Sequence, residues 1–396
     1  MSRVETASQS STPKSEEPCA LERLSPEILL AIVTKLDLPS LHRLLHASPA
    51  TFRLFDGYAV EITESILETD PMTRQIPETI HVVALIRSSE LPYDNLDDFI
   101  KRYISASLDL DWGYSYIPPT TFPKTTSPAI LRGILASAHQ ISCLMLTCLR
   151  HYLDRVMAIS PERPVDKAFT YNLISRGDVF FGPAFRRRPE SESYAIEDAG
   201  PPTWVEEQRV TRGFWRVQLF HDLKTAAAHS RLGWPKEDVE RLQAMEPIDL
   251  YNEHYRGFHF EFEEIQTVVD YTRELEAGNA ASLPPVYEVK RSWPSPKPGT
   301  NGITYIDGSE LRIAESMRMQ IWENLSTSDA SPLRYFSFKP FRRLGFAFWV
   351  EEKLSALGFM DYPSRPERWG ELLLRMAEHA QRGGASPGRE DTRKVL

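Results

Sequence analysis

Hydrophobic and polar positions alternate at helical spacing along residues 21–56. Apolar side chains recur there every three or four residues, a period that predicts amphipathic helices. A serine followed by a proline occurs twice, and this pair suits the cap and the first turn of a helix. The pattern therefore predicts three short helices: one from Ser25-Pro26 to Asp37 or Leu38, one restarting at Pro39, and one opening at Ser48-Pro49.

These predicted helices carry more apolar surface than they can bury among themselves. Of the 36 residues from 21 to 56, 15 are Leu, Ile, Val or Phe. A unit of about 40 residues is rarely stable without a metal, a disulfide or a partner. The segment has no cysteine pair and no metal-ligand motif. The rest of the chain or another protein must therefore cover its apolar face.

The chain beyond residue 57 reads as mostly helical with long connections. These connections are rich in proline and show no period, which fits the 30 prolines of the chain. No repeat of fixed length is visible, so leucine-rich arrays and propellers are not predicted. The predicted fold is mainly α: a three-helix N-terminal unit, then an irregular all-α C-terminal domain with long Pro-rich loops. Its helices are predicted at 61–69, 74–89, 94–107, 128–159, 204–229, 236–245, 261–277, 309–325, 350–357 and 366–381.

Charge separates two interpretations of the N-terminal unit. A DNA-binding helix-turn-helix needs a basic recognition helix. Residues 21–56 instead hold four basic and four acidic side chains, and the whole chain has a formal net charge of -9. Phosphate contacts require a basic surface, so no nucleic-acid partner is expected.

The residue order of the same unit carries a resemblance. It begins Leu24-Ser25-Pro26-Glu27-Ile28-Leu29 and continues through Ile32, Leu36, Ser40-Leu41, Leu44 and Ala47-Ser48. In order and spacing these residues resemble the F-box, with Ser25 where that family usually has its first proline. The resemblance implies that this unit docks a Skp-family adaptor. The residues it implies as adaptor-binding are Leu24, Pro26, Glu27, Ile28, Leu29, Ile32, Leu36, Leu41, Leu44 and Leu45.

Later segments are similar to F-box proteins of filamentous fungi. They are EEQRVTRGFWR at 206–216, FEFEEIQTVVDYTRELE at 260–276 and RRLGFAFWVEEKLSALGF at 342–359. The resulting organisation is a disordered tail at 1–20, an F-box at 21–60, a helical domain at 61–380 and a second disordered tail at 381–396.

The resemblance implies a non-catalytic interaction protein. The F-box would join an SCF-type cullin–RING ubiquitin ligase through the adaptor, and the helical domain would select a protein substrate. An F-box scaffold or regulator outside a ligase is the alternative, and an uncharacterised enzyme is a remote one. The expected location is the cytoplasm, the nucleus or both.

Candidate chemistry is sparse in the sequence, so no enzyme activity, cofactor or metal is expected. His254 and His259 lie five residues apart among Glu253, Glu261, Glu263 and Glu264, a spacing that puts the two rings on different helix faces. A surface acid cluster is the plainer interpretation of that stretch. Cys143 and Cys148 fall on a predicted buried helix, where thiols are usually inert packing residues.

Neither a signal peptide nor a membrane span is expected. The N-terminal residues lack an apolar core. The most apolar run, 130–149, is interrupted by Arg132, His139 and Gln140, so an amphipathic core helix is predicted instead. The chain has three cysteines, too few for a disulfide framework, which favours a reducing compartment.

The segment around Arg209, Arg212 and Arg216 predicts an internal helix. The face with these arginines continues as Leu219, Phe220 and Leu223, and a second, opposed stripe is formed by Val210, Phe214, Val217 and His221. Its arginines are expected to pair with carboxylates of neighbouring helices, with the 261–264 cluster as the first candidate. A pocket for an acidic or phosphorylated ligand is the alternative.

Aromatic residues near 214–215, 258–260 and 346–349 are predicted to be packing residues. The body from 57 to 380 is long enough for a core of its own. A chain without residues 1–56 is therefore expected to stay folded.

Overall fold

The computed structural model describes residues 20–73, 76–104, 121–160, 162–165, 190–196, 198, 200–252, 259–278, 291, 293–294 and 338–357. Helical residues make up 71% of this part of the chain. The predicted mainly-α fold is confirmed.

Three helices follow one another near the N-terminus. Each begins at or beside a proline where the sequence predicts a helix start. A 3-10 turn, Ala20–Arg23, precedes helices α1 (Pro26–Val33), α2 (Leu38–Ala47) and α3 (Pro49–Thr69). Helix α1 ends earlier than predicted, because Asp37 caps α2 instead of closing α1. Its carboxylate accepts a 2.6 Å hydrogen bond from the backbone N–H of Ser40.

Helix α3 runs without a break across the predicted boundary at residue 60. The third predicted helix and the separate helix predicted at 61–69 form this one element. Only Tyr58 departs from helical geometry, with φ -133° and ψ 27°, and it marks a kink inside the helix. The sequence has no proline there, so the kink bends the helix but does not end it.

The remaining helices follow in order, and those that were predicted begin and end close to their predicted limits. They are α4 (Pro77–Ser88), α5 (Leu96–Phe99) with a following π-helical turn (Ile100–Ile104), α6 (Pro128–Met157), α7 (Trp204–Ala228), α8 (Lys236–Ala244), α9 (Pro247–Asn252), α10 (His259–Glu276), α11 (Lys339–Arg342) and α12 (Glu351–Ala356). The short helices α9 and α11 are additions to the predicted set.

A short antiparallel pairing joins strands β1 (Glu162–Pro164) and β2 (Ser191–Ser193). Arg163 lies opposite Glu192 in this register. Each strand has only three residues, so no alternating pattern long enough to predict it exists in the sequence.

The apolar face of the N-terminal unit is covered by the body of the same chain. Helix α2 packs along α6, and α3 contacts α6 as well. Leu38, Leu41 and Phe55 have no solvent exposure, and they belong to one apolar core that continues through α4, α6, α7 and α10. The apolar surface that the N-terminal helices cannot bury among themselves is thus largely buried against the rest of the chain.

Helix α6 is long and apolar enough, by length and composition alone, to cross a membrane. It is also the central core helix. It contacts α2, α3, α4 and α7, and twelve of its side chains are buried. Core helices of this kind pass the same composition test, and the buried positions match the predicted amphipathic helix.

Helix α7 is internal, as its two apolar stripes predict. Seventeen of its residues are buried, among them Phe214 and Trp215. A capping box at Thr203 and Glu206 fixes its first turn. The prediction was wrong for His221, which is exposed. The stripe that begins at Val210 is buried as far as Val217, and its next position already faces solvent.

The arginine series of α7 is held by two kinds of partner. Arg212 makes a two-pronged ion pair with Glu264 of α10, at 3.0 and 2.7 Å, which confirms the predicted pairing. Arg209 instead donates to the backbone carbonyls of Phe348 and Trp349, at 2.8 and 3.0 Å. Arg216 is buried.

Those two carbonyls belong to residues 338–357, hereafter the C-terminal strap. Glu206, fully buried on α7, accepts a 3.0 Å hydrogen bond from the backbone N–H of Val350 and lies 3.5 Å from the buried Lys353 ammonium. Arg342 of the strap binds Glu263 of α10 at 2.7 Å. The interpretation of Glu263 and Glu264 as a surface acid cluster was wrong, because both are buried and paired with arginine.

Several predictions fall outside the described residues. These are the helices at 309–325 and 366–381, His254, the tails at 1–19 and 381–396, and the side chains at 258–260.

Candidate partner-binding surface

Helix α1 divides its apolar side chains between the core and the surface. Leu29 and Val33 point inward and are buried. Ile28 and Ile32, one turn apart, are 52% and 37% exposed. Side chains four residues apart lie on the same helix face. The two isoleucines therefore form an aliphatic ridge, hereafter the α1 ridge.

The start of α1 shapes one end of this ridge. Ser25 occupies the cap position, but its side chain makes no capping hydrogen bond to the helix. Hydrogen bonds from the backbone N–H of Glu27 and from the Ser25 hydroxyl lower the pKa of the Glu27 carboxyl. The carboxylate sits in the first turn of α1, where a negative charge is favoured by the helix dipole.

The ten residues implied as adaptor-binding fall into two groups. Leu29, Leu41 and Leu45 are buried against other helices of the chain, so the structure assigns them to the core. Seven remain accessible in whole or in part: Leu24, Pro26, Glu27, Ile28, Ile32, Leu36 and Leu44. The sequence pattern contains both groups because one amphipathic helix needs an inward face as well as any outward one.

Two aromatic side chains of α3 are also exposed. Phe52 and Tyr58 are 38% and 48% exposed, while Phe55 between them is fully buried. The Arg132 guanidinium of α6 lies 4.7 Å from the centre of the Phe52 ring and also pairs with Asp56. Periodicity alone marks Phe52 and Phe55 equally as apolar, so the sequence did not separate the exposed side chain from the buried one.

Three histidines meet between α2 and α6, and the sequence reading missed them. The His42 and His46 rings lie edge to face with centres 4.6 Å apart, and His42 stacks on His139 at 5.1 Å. Burial, together with the charges of His46, His139 and Arg43, lowers the pKa of His42 to about 4. His139 is 97 positions away from His42 in sequence, so only the packing of the two helices brings the rings together.

The other titratable groups of the core are arranged for packing. Burial raises the pKa of Cys143, and that of Cys148 well above its usual value, so neither thiol is poised as a thiolate nucleophile. Glu64 of α3 accepts hydrogen bonds from the His81 ring and from the backbone N–H of Phe122, which joins α3 to α4 and to the segment before α6.

Among the residues that the structure describes, no group of three or more His, Cys, Asp and Glu side chains is arranged to hold a metal ion. No protein-family model, no curated protein and no solved structure matches this chain.

Proposed function

We propose that this protein is an F-box-type receptor that binds a Skp-family adaptor through its N-terminal helices. In this proposal it brings a protein substrate, held by the helical body, to an SCF-type cullin–RING ubiquitin ligase. The exposed α1 ridge carries the proposal. It lies within the stretch whose residue order resembles the F-box, and its two aliphatic side chains remain in solvent after the chain has folded.

The energetics of the ridge favour a protein partner. Burying an isoleucine side chain fully contributes about 1.5–3 kcal/mol. Two half-exposed isoleucines beside a proline and an acidic first turn give an apolar centre with a polar edge, the usual composition of a protein interface. Leu24, Leu36 and Leu44 are partly exposed and would extend the contact.

The helical body would select the target without chemistry of its own. In this proposal ubiquitin transfer is performed by the other subunits of the ligase.

The test is substitution within the ridge. Ile28→Asp should weaken adaptor binding by at least about 2 kcal/mol, or about 30-fold in Kd, because it buries a charge where an apolar anchor docks. Isothermal titration calorimetry with a purified Skp-family adaptor measures this loss. The protein should melt at its usual temperature, since Ile28 is outside the core.

Met157→Asp is the matched control. Met157 is also apolar, is 37% exposed, and is the last residue of α6. Its substitution should leave adaptor affinity unchanged. Equal binding by the Ile28→Asp variant and the unchanged protein would rule out the α1 ridge as the adaptor site. Adding the cullin and RING subunits to the complex then separates a ligase receptor, which supports ubiquitin transfer, from a scaffold, which does not.

A further inference from the structure

The α2–α6 interface contains three imidazoles in direct contact. His42 and His46 come from α2, one turn apart, and His139 comes from the facing side of α6. The stacked pair His42 and His139 is tilted by only 30°, so the two rings overlap face to face across the interface. A protonated imidazole on one helix would therefore stand against an imidazole on the other.

Burial and, after it, neighbouring positive charges disfavour protonation of the His42 and His139 rings. His42 is acted on by His46, His139 and Arg43, and His139 by Arg43 and His46. Cys143, one turn after His139 on α6, is a thiol whose pKa burial raises, so it stays neutral. Helix α3 also packs against α2, and its Asp56 carboxylate pairs with Arg132 of α6.

One ring atom adds a hydrogen-bonding penalty. His139 Nδ1 is buried and has no hydrogen-bond partner among the residues that the structure describes. In neutral histidine this nitrogen can be a bare acceptor, whereas in the charged form it must carry a proton. A buried N–H without an acceptor is destabilising, so the interface as built accommodates the neutral ring.

We propose that this histidine cluster makes the packing of α2 on α6 sensitive to pH. At neutral pH the His42 and His139 rings are uncharged and stack. Mild acid favours a loosened arrangement, in which the separated rings can take up protons, so α2 detaches from the body while α7 and α10 stay packed. The cluster would thus regulate how firmly the N-terminal helices are held, whatever partner they bind.

The direction of the effect follows from the pKa of His42. An unfolded histidine has a pKa near 6.5, and in the folded chain that of His42 is lowered to about 4. When α2 is separated from α6, His42 therefore binds a proton at a pH at which it stays neutral in the packed arrangement. The packing of α2 is at full strength above about pH 6.5 and weakens as the pH falls towards 4.

Hydrogen–deuterium exchange on the full chain tests this. Exchange rates of α2 amides, corrected for the intrinsic pH dependence, should rise at least about tenfold between pH 7.5 and pH 5.0, since each pKa unit corresponds to a factor of ten. Amides of α7 between Val210 and Leu223 should change by less than about twofold over the same range. Unchanged protection of α2, or an equal loss in α7, would overturn the proposal.

Substitutions then assign the effect to the cluster. The His42→Gln, His139→Gln double variant should lose most of the acid response, because glutamine stays neutral at both pH values. His229→Gln is the matched control, since His229 is exposed at the end of α7 and far from α2 in sequence. It should respond to acid as the unchanged protein does. An undiminished response in the double variant would refute the proposal, and if that variant does not fold, the comparison of α2 with α7 in the unchanged protein decides.

Discussion

At Gly345 the C-terminal strap turns through a positive φ of 71° directly against α6. A Cβ atom at this position would lie 2.8 Å from Cβ of Tyr152 and 3.2 Å from the ring of Trp349. Both neighbours are almost fully buried, and Cβ of Tyr152 cannot move without the backbone of α6. Two separate penalties therefore meet at one residue, the left-handed backbone and the missing space.

Gly345→Ala should lower the free energy of unfolding by about 2–5 kcal/mol. The positive φ contributes about 1–2 kcal/mol and overpacking about 1–3 kcal/mol. Gly278→Ala separates the two effects, because Gly278 has a φ of 72° and no described atom lies within 4 Å of the Cβ that alanine would add. The Gly278→Ala variant should lose only the part of the unfolding free energy that comes from the positive φ. Urea denaturation followed by circular dichroism measures both, and equal losses would contradict the predicted crowding.

At the scale of single elements, caps distinguish the first two helices. Asp37 caps α2 with a short hydrogen bond to the N–H of Ser40, whereas Ser25 stands in the cap position of α1 without such a bond. Asp37→Ala should therefore lower the free energy of unfolding by about 1 kcal/mol. Ser25→Ala is the control and should lower it by less than about 0.5 kcal/mol. Thermal melts of both variants give the comparison, and a larger loss for Ser25→Ala would show the cap assignment to be reversed.

Helix positions were predictable from the sequence, because prolines, caps and a 3.6-residue period act locally. Long helices such as α6 and α7 carry enough turns for the period to be unmistakable. The continuity of α3 was not predictable, since the bend at Tyr58 has no proline or cap to announce it. Asp37 was predicted to end α1 but caps α2, because an aspartate after one helix and before another fits both roles, and only the backbone geometry decides.

At the scale of the whole molecule, the N-terminal helices belong to the same core as the body. Leu38 and Leu41 are fully buried and Leu45 nearly so, all from α2. Each buried leucine contributes about 1.5–3 kcal/mol, so these three approach the 5–15 kcal/mol that stabilises a typical domain. We therefore revise the expectation that the body folds alone.

Deletion of residues 1–48, which leaves α3 whole, should abolish the cooperative thermal transition or lower it by more than about 10 °C, because it exposes the apolar face of α6. Deletion of residues 1–56 also cuts α3 and should be at least as damaging. Circular dichroism melts of both truncations test this, with full-length Ile28→Asp as the control that alters the exposed ridge and spares the core. A melt of the first truncation within about 2 °C of the full chain would show that the body is independent.

The candidate site was predictable only in part, because it depends on how the helices pack against one another. The order of residues in α1 marks Ile28 and Ile32 as apolar, but it cannot tell them from Leu29, which faces the core. The contact between His42 and His139 depends on how α2 crosses α6, and no local pattern records that crossing. The arginines of α7 were predictable as a class, because a buried guanidinium requires a partner, whereas the choice of backbone carbonyls for Arg209 was not.

The attachment of the C-terminal strap also bears on how the protein is synthesised. Arg209 finds its carbonyl partners 139 and 140 positions further along the chain, and Glu206 finds the N–H of Val350 144 positions further along. A ribosome adding about 5–20 residues per second needs roughly 7–30 s to cover that interval. During this time α7 has emerged, but Arg209 and Glu206, which are buried in the folded protein, still lack their partners in the C-terminal strap. The nascent chain therefore depends on water or on a chaperone at these two side chains until the C-terminal strap has left the ribosome.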